Sequence, residues 1–470
     1  MITHRRTASL IRLTLVLLLV CGVAGLVALA RPADASAASG HLDWWYTEDS
    51  PHHALDGIGP AAAGPDGSLY AAADLGYDWA DGADLGMYRF RPAFGKLGVV
   101  IWEKVYAGPS HKADFPIGLA VDHAGNVIAA GQTETVTNGR DWLLIKRSPN
   151  GARRWVATYD GPLHGLDLLD DVACDRAGNV YACGTSDNSP TSSDWVVAKF
   201  RASDGKRLWR HIYSGPGSSH MDDWAHALAV DATGNSYVAG QSYDSTGHPD
   251  ILVMKLSPTG KEAWVRRVDG AAHLGDYADE IALRGGIVYV AGQSSPLADT
   301  TKLMLLRYDT RGHRAWKRTW QATPGTISDV GDLAVDGAGN AVVAGSSLKG
   351  TPYSKAFLVS WSPSGHLRWG KTYWKTTTGE SAGFYSVAAD GSGRVWAAGS
   401  IGTSGSTEDA LLVRYRPSGS IVWTRTFDGD EHLDDWFNVV TLWGKSSLFA
   451  GGVMGTTAGN DDVLAAKYVR

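Results

Sequence analysis

Histidine and aspartate recur three residues apart along this chain, in the pattern His-x-x-Asp. Six copies carry both residues: His53 and Asp56, His111 and Asp114, His164 and Asp167, His220 and Asp223, His273 and Asp276, and His432 and Asp435. Imidazole and carboxylate groups together can exchange protons, and carboxylate oxygens bind hard cations such as calcium. The pattern therefore indicates a candidate ligand-binding or metal-binding surface.

An aromatic residue follows the aspartate in four copies, and aromatic rings beside acidic groups suit sugar ligands. The alternative is that each ring packs between neighbouring structural units. The predicted ligand-binding residues are His111, Asp114, Phe115, His164, Asp167, His220, Asp223, Trp224, His273, Asp276, Tyr277, His432, Asp435 and Trp436.

The elements that must position these residues repeat along the chain. Hairpin strands open at Gly67, Gly125, Gly178, Gly234, Gly286, Gly339, Gly393 and Ser446, at intervals of 52 to 58 residues. The copy from Asp170 to Gly215 contains four short apolar strands separated by turns. Their nearly continuous apolar runs indicate sheets covered on both faces. Stacking eight such sheets in a ring provides that cover, so we predict an all-β, eight-bladed β-propeller with four-stranded blades.

The fourth strand of each repeat carries Gly and Trp four residues apart, as in Gly151 and Trp155. The eighth copy of this strand is missing at the C-terminus, but Gly40 and Trp44 have the same spacing near the N-terminus. We therefore predict that an N-terminal strand joins the last blade and closes the ring.

The first residues of the chain read as an export signal. Arg5, Arg6 and Arg12 precede an apolar run from Leu13 to Ala30, and small residues follow. We expect residues 1–37 to be a cleaved signal peptide with a short linker, and residues 38–470 to form a single propeller domain. The protein would then be secreted or extracytoplasmic, with an uncleaved membrane anchor as the alternative.

Charge and cysteine content narrow the possible partners. Removing residues 1–35 changes the formal net charge from −6 to −9, and no Lys/Arg run remains to bind nucleic acid or an anionic membrane. Only Cys174 and Cys183 remain, on two strands of one hairpin where they do not face each other, so we expect no disulfide between them.

Two stretches, Val121–Gly131 and Ala227–Gly240, resemble the bacterial β-propeller repeat family often called SBBP, and the likeness extends from about Gly40 to Arg470. This resemblance implies an exported or surface protein without a shared enzymatic activity. Segments such as Ser203–Trp209 also resemble the tryptophan-docking motif of quinoprotein propellers, which have eight blades. That match concerns packing, because quinoprotein dehydrogenases hold their cofactor with vicinal cysteines and this sequence has none.

In propellers of the WD-repeat kind, a histidine at this place bonds an aspartate and a hydroxyl group of its own blade. Thr133, Ser186, Ser242 and Ser294 offer such hydroxyl groups here, so the His-x-x-Asp residues also have a structural interpretation. Six third strands begin with Asp and seven end in Arg or Lys, which we interpret as charge pairs framing the blades.

The sequence predicts a secreted or cell-surface binding or scaffold protein. We expect a monomer that recognises an extracellular protein, polysaccharide or other glycan on the loop face around the channel, with no cofactor and with calcium as the candidate ion. No G-x-S-x-G or H-E-x-x-H motif supports catalysis. The alternative is an extracytoplasmic hydrolase or lyase, including a metal-dependent one, with its site in the channel mouth.

Overall fold

Eight four-stranded antiparallel sheets arranged in a ring form a β-propeller. The computed structural model describes residues 42–48, 55–78, 82–91, 99–108, 110, 112–135, 139–189, 192–216, 222–270, 272–297, 300–321, 326–348, 353–373, 380–403, 407–443, 447–456 and 461–469. The predicted signal segment, residues 1–37, lies outside these ranges. No helix among the described residues is long and apolar enough to cross a membrane.

In each blade the strands follow one another outward from the channel at the centre of the ring. The first strand of the chain is β1 (Leu42–Glu48), which belongs to the last blade. Blade 1 contains β2 (Leu55–Ala63), β3 (Leu69–Asp78), β4 (Gly82–Arg91) and β5 (Val99–Tyr106); blade 2 contains β6 (Asp114–Val121), β7 (Val127–Glu134), β8 (Arg140–Arg147) and β9 (Arg153–Tyr159). Blade 3 contains β10 (Asp167–Cys174), β11 (Val180–Ser189), β12 (Ser192–Phe200) and β13 (Arg207–Tyr213); blade 4 contains β14 (Trp224–Val230), β15 (Ser236–Tyr243), β16 (Pro249–Leu256) and β17 (Glu262–Val268).

The second half of the ring has the same order. Blade 5 contains β18 (Asp276–Arg284), β19 (Ile287–Leu297), β20 (Thr300–Asp309) and β21 (Arg314–Trp320); blade 6 contains β22 (Thr326–Val335), β23 (Ala341–Leu348), β24 (Ser354–Trp361) and β25 (Leu367–Tyr373). Blade 7 contains β26 (Glu380–Ala389), β27 (Val395–Thr403), β28 (Glu408–Tyr415) and β29 (Ile421–Phe427); blade 8 contains β30 (Asp435–Trp443), β31 (Ser447–Gly455) and β32 (Asp461–Val469), with β1 as its outer strand.

The N-terminal strand closes the ring as predicted. β1 pairs antiparallel with β32, with Leu42 opposite Tyr468 and Glu48 opposite Val463. Trp44 lies opposite Lys467, as Trp155 lies opposite Lys146 in blade 2. The Gly-Trp spacing therefore identified both the missing strand and its register.

The hydrophobic core lies between the blades. Ile128 and Leu144 of blade 2, for example, belong to the same buried cluster as Val172 and Ala182 of blade 3. Because each sheet is covered on both faces by its neighbours, its strands need apolar residues at successive positions. This explains the continuous apolar runs in the sequence. The innermost strands contact one another around the whole ring, with β30 meeting β2.

Tryptophans of six fourth strands each donate a hydrogen bond to the next blade. The Nε1 of Trp155 donates to the carbonyl oxygen of Ala202 in blade 3 at 3.0 Å. Gly205, in the same turn as Ala202, packs on the Trp155 ring at a φ of +71°, and a Cβ there would lie 2.7 Å from the ring. This recurring contact requires Gly four residues before the next Trp, so the tryptophan-docking resemblance does concern packing.

The turns between the first and second strands, at the same end of the blades as these tryptophan contacts, are held by aspartates. Asp122 Oδ1 accepts the backbone N–H groups of Ala124 and Asn126 at 3.0 and 2.9 Å. The buried Lys146 Nζ lies 2.8 Å from Asp122 Oδ2. Three basic ends of third strands are thus paired with turn aspartates: Arg89 with Asp66, Lys146 with Asp122 and Lys199 with Asp175. Our interpretation of them as partners of the aspartates at the strand starts was wrong for Lys146.

Cys174 and Cys183 are both free thiols. In the register of β10 and β11, Cys183 lies opposite Asp171 and Cys174 opposite Val180. Burial raises the pKa of the Cys174 thiol to about 12, so this group is a poor nucleophile.

Candidate functional site

The His-x-x-Asp residues lie in the connections that lead from the fourth strand of one blade to the innermost strand of the next. In the connection to blade 3, His164 N donates to Gly161 O at 3.2 Å, and His164 has a φ of +53°. His273 and His432 have φ values of +52° and +54° at the equivalent turns. Each described histidine therefore ends a tight turn in the left-handed conformation, which is uncommon for residues other than Gly, though less so for His than for most.

The aspartates of these connections are buried. Asp114, Asp167, Asp223, Asp276 and Asp435 each accept the backbone N–H of the turn glycine, at 2.5 to 2.6 Å. Burial raises the pKa of Asp114, Asp167 and Asp435 to about 6, although the hydrogen bonds oppose this effect. The pKa values of Asp223 and Asp276 are also raised by burial. These carboxyl groups hold the connection in place.

The three described histidines of the motif, His164, His273 and His432, are exposed, and each contacts an aspartate outside the motif. His164 Nδ1 lies 2.6 Å from Asp160 Oδ2, four residues earlier, and the His164 side chain is 74% exposed. The hydrogen bond to Asp160 and its charge raise the pKa of His164. His273 contacts Asp269, and His432 contacts Asp428, in the same way.

The WD-repeat arrangement, in which the histidine bonds the aspartate and a hydroxyl group of its blade, was therefore wrong for these three histidines. The structure places the histidine and the aspartate of the motif in the same turn, but each has its own partner. His53, His111 and His220 lie outside the described residues, as do Gly325 and Gly379 at the corresponding places before blades 6 and 7.

The aromatic residues after the aspartates begin the innermost strands and are half-buried, namely Phe115, Trp224, Tyr277 and Trp436. The guanidinium group of Arg140 lies over the Phe115 ring, 5.1 Å from its centroid. The rings of Trp224 and His226 are 5.9 Å apart. A role for these rings in sugar binding stays a prediction.

Two leucines flank His164 on the surface. Leu163 and Leu166 are 44% and 48% exposed. Their connection is fixed to its surroundings, because Leu166 forms a β-bridge with Arg140 and its N–H donates to Asp187 Oδ2 at 2.9 Å. The sequence pattern singled out His164 but missed its apolar neighbours.

Acidic residues in the innermost strands form a group that the sequence analysis missed. We name this group the channel carboxylates: Asp170, Asp171, Asp279, Glu280, Asp329 and Asp332. Asp170 and Asp279 lie at β-bulges, where the register of the innermost strand shifts. Adjacent acidic residues in otherwise apolar strands, such as Asp170 and Asp171, were the signal that could have revealed them.

The channel carboxylates have raised pKa values. Burial and the neighbouring charge of Asp171 raise the pKa of Asp170 to about 8. Burial raises the pKa of Asp279 to about 7, and the pKa of Glu280 lies well above its ordinary range because of burial and the charges of Asp332 and Asp171. Asp171 and Glu280 belong to blades 3 and 5, which are not adjacent, so we infer that both charges act within the same channel.

Some channel carboxylates also connect neighbouring blades. Asp171 Oδ2 accepts the Leu228 N–H at 2.7 Å, and Asp332 Oδ2 accepts the Val387 N–H at 2.8 Å. Asp279 Oδ2, in contrast, is buried with no hydrogen-bond partner among the described residues. The group therefore combines structural anchors with at least one unsatisfied oxygen.

A polar cleft lies on the opposite face, between the hairpin turns of blades 2 and 3. Its volume is about 460 Å³, and its lining includes Lys146, Arg154, Arg176 and Asp122. It is at the far end of the strands from the His-x-x-Asp connections, so the two regions are separate surfaces.

The fold resembles solved propellers. The crystal structure of quinohemoprotein alcohol dehydrogenase from Comamonas testosteroni matches 93% of this chain and 77% of that chain, with a TM-score of 0.56 and 10% identity. The β-propeller domain of the Trilobed protease from Pyrococcus furiosus matches 75% of this chain and 97% of that chain, with a TM-score of 0.43 and 9% identity. The first likeness supports the fold alone, and the second is too weak to add to it.

A quinone cofactor of the kind that the dehydrogenase's name suggests does not fit the residues of the channel. The eight innermost strands carry a single lysine or arginine, Arg284 at the end of β18, against the six channel carboxylates. An anionic quinone would be repelled by these carboxylates when they are ionised. Their oxygens are instead suited to cations.

The amino-acid sequence identifies the family. No curated protein matches the chain in sequence. Residues 193–455, more than half of the chain, match the family described as outer membrane protein assembly factor BamB. The chain therefore belongs to the family described as outer membrane protein assembly factor BamB.

Proposed function

We propose that the protein is an exported binding or scaffold propeller, which recognises an extracellular protein or polysaccharide on the face of the His-x-x-Asp connections. The observation that carries this proposal is the exposed pair Leu163 and Leu166 on either side of His164. Exposed apolar side chains beside charged groups are typical of binding surfaces. The family description, which names an assembly factor, supports a scaffold role.

The rigidity of the connection also supports recognition. The bridge from Leu166 to Arg140 and the buried Asp167 hold the backbone on both sides of His164. A surface that is ordered before binding loses less conformational entropy when the ligand arrives. The acidic net charge and the exposed histidines next to aspartates favour a polar, mixed-charge partner surface.

A photo-crosslinking amino acid at position 163 tests the binding face. The matched control is position 367, because Leu367 is 52% exposed on the outer strand β25. We expect a discrete crosslinked species from position 163 in the host's extracytoplasmic fraction, and none from position 367. The same products from both positions would contradict the proposed face.

Recognition of a polysaccharide ligand requires a separate binding experiment. Binding of the purified mature protein to isolated cell-surface polysaccharide should be lost in the variant Leu163→Ser/Leu166→Ser and retained in Leu367→Ser.

N-terminal sequencing of the protein from its own host tests export, and we expect the mature chain to begin at Ser36 or Ala38.

The channel carboxylates favour a second candidate function, an extracytoplasmic hydrolase or lyase. Carboxyl groups whose pKa values lie near or above neutrality, such as those of Asp279 and Glu280, can act as general acids. A screen of hydrolase and lyase substrates with wild-type protein and Glu280→Gln would detect this. Turnover that disappears in the folded Glu280→Gln variant would support an enzyme, and its persistence would assign the activity to another site or a contaminant.

A further inference from the structure

Three carboxylates converge at the junction of blades 2 and 3. Asp141 lies near the start of β8, Asp160 follows β9, and Asp167 begins β10. Each offers an oxygen, and these oxygens lie within 4.8 Å of one another. The three residues come from three chain segments, so this junction cluster joins two blades.

The buried member of the junction cluster lacks a partner for one oxygen. Asp167 is 0% exposed, and its Oδ2 accepts the Gly161 N–H at 2.6 Å. Its Oδ1 is buried without a hydrogen bond of acceptable geometry, although the hydroxyl of Ser186 is nearby and lowers the carboxyl's pKa. A buried carboxylate oxygen without a partner carries a desolvation cost that a bound cation would offset.

No lysine or arginine among the described residues forms an ion pair with Asp141, Asp160 or Asp167. Burial, followed by the charges of Asp160 and Asp167, raises the pKa of Asp141 to about 6. Near neutral pH Asp141 and Asp167, each with a pKa of about 6, are mostly ionised and repel each other. The exposed His164 contacts Asp160 and is positively charged only when it is protonated.

The chain contains a second cluster of the same kind, in which an arginine supplies the missing charge. Asp250, Asp269 and Asp276 converge in the same way at the junction of blades 4 and 5. Arg267 Nη1 lies 3.0 Å from Asp250 Oδ2, and Nη2 donates to Ser242 Oγ at 2.8 Å. The guanidinium group therefore pairs with one carboxylate of this cluster and reduces its net negative charge from within the protein.

The strand register identifies the position that corresponds to Arg267 in blade 2. Arg267 lies opposite Leu252, two residues after Asp250. In blade 2, Thr158 lies opposite Leu143, two residues after Asp141. The junction cluster of blades 2 and 3 thus has the same three carboxylates but a threonine in place of the arginine.

We propose that a calcium ion binds between Asp141, Asp160 and Asp167, in the role that Arg267 has at the other cluster. Calcium accepts oxygen ligands from separate segments and tolerates irregular coordination, whereas magnesium requires a near-octahedral set. The ion would tie blade 2 to blade 3 and fix the connection that carries Leu163 and Leu166. Extracellular modules bind calcium with dissociation constants on the order of 10⁻⁴–10⁻³ M, and we expect affinity in this range.

Calorimetric titration of the mature protein with calcium chloride tests the site. We expect Asp141→Asn and Thr158→Arg each to lose one equivalent of bound calcium, or to bind it at least tenfold more weakly. Thr158 is exposed, so the arginine can be accommodated there, and circular dichroism checks that the variant is folded. Thr158→Ser is the matched control and should bind as the wild type does.

The reciprocal variant Arg267→Thr locates the ion. It should keep the wild-type equivalent and gain a second one at Asp250, Asp269 and Asp276. If Arg267→Thr lost the one calcium ion that the wild type binds, calcium binding would depend on the junction of blades 4 and 5. That result would overturn the proposal. Calcium binding that is unchanged in Thr158→Arg, or absent from the wild type at millimolar calcium, would overturn it as well.

Discussion

Single residues of the His-x-x-Asp motif have different tasks. Asp167 is buried and bonds the turn backbone, whereas His164 is exposed and contacts Asp160. The regular spacing therefore reports a recurring turn rather than a pair of groups that act on each other. The residues that could bind a ligand here are the neighbours of the motif, on the surface and at the junction of the blades.

The contact with Asp160 should be visible in the titration of His164. Because the hydrogen bond and charge of Asp160 raise the histidine pKa, Asp160→Asn should return it towards 6.5. NMR titration of the imidazole signals measures this change. The pKa of His432, which is raised by Asp428, should not move in the same variant, and a parallel change in both would argue against a local cause.

Alanine substitutions at two glycines with positive φ distinguish the cost of backbone strain from the cost of disturbing the tryptophan contact. Gly67 has a φ of +76° and open space at its Cβ position, whereas a Cβ on Gly205 would lie 2.7 Å from the Trp155 ring. Gly67→Ala should cost about 1–2 kcal/mol of unfolding free energy from strain alone. Gly205→Ala should cost about 1–3 kcal/mol more, because the ring must also move. Urea denaturation compares them, and equal losses would show that the ring contact is unimportant.

At the scale of the strands, β1 is the element on which closure of the ring depends. It covers the edge of β32, which would otherwise expose unpaired N–H and C=O groups.

Blade 8 has no turn between its third and fourth strands, because β32 and β1 are not consecutive in the chain. The tryptophans of β5, β9, β13, β17, β21 and β25 donate to the turn between the third and fourth strands of the next blade. Trp423 of β29 faces blade 8, which has chain ends instead of that turn, and its Nε1 has no partner among the described residues.

Deleting β1 should destabilise the propeller far more than shortening an ordinary terminus. We expect a chain that begins at residue 49 to unfold at least about 10 °C below a chain that begins at residue 38. Thermal unfolding followed by circular dichroism provides the comparison. A normal midpoint without β1 would mean that the ring is stable as an open structure.

The whole molecule carries many buried carboxyl groups on or near its channel. Burial raises the pKa values of Asp114, Asp167 and Asp435 to about 6, and that of Asp279 to about 7. Between the unfolded value near 3.8 and these values, the folded protein binds more protons than the unfolded chain. Its stability therefore falls as the pH rises through that interval. The raised pKa of His164 acts in the same direction, since its contribution is complete below 6.5 and is lost above its folded value.

Metal-free protein should accordingly be more stable at pH 5 than at pH 8, by about 5 °C or more in unfolding temperature. Below pH 4 the trend reverses, because the His248 N–H helps to lower the pKa of Asp244 to about 2, and such groups lose their hydrogen bonds when protonated. Thermal melts in a chelator across this range measure the effect. A midpoint that rises from pH 5 to pH 8 would contradict the burial of these carboxyl groups.

The sequence by itself determined the architecture. Each blade must bury both faces of a small sheet, so the apolar runs, the turn glycines and the Gly-Trp spacing repeat visibly, and Trp44 marked the closing strand. These are local or strictly periodic requirements, which a single sequence displays.

Only the tertiary structure decided which polar groups come together. Asp141, Asp160 and Asp167 come from different chain segments. The arginine that distinguishes the cluster of Asp250 from theirs became evident only from the register of Arg267 and Thr158. Asp171 and Glu280 lie more than a hundred positions apart and influence each other because the ring brings their strands to one channel. Such proximity depends on closure of the whole ring, and no local pattern encodes it.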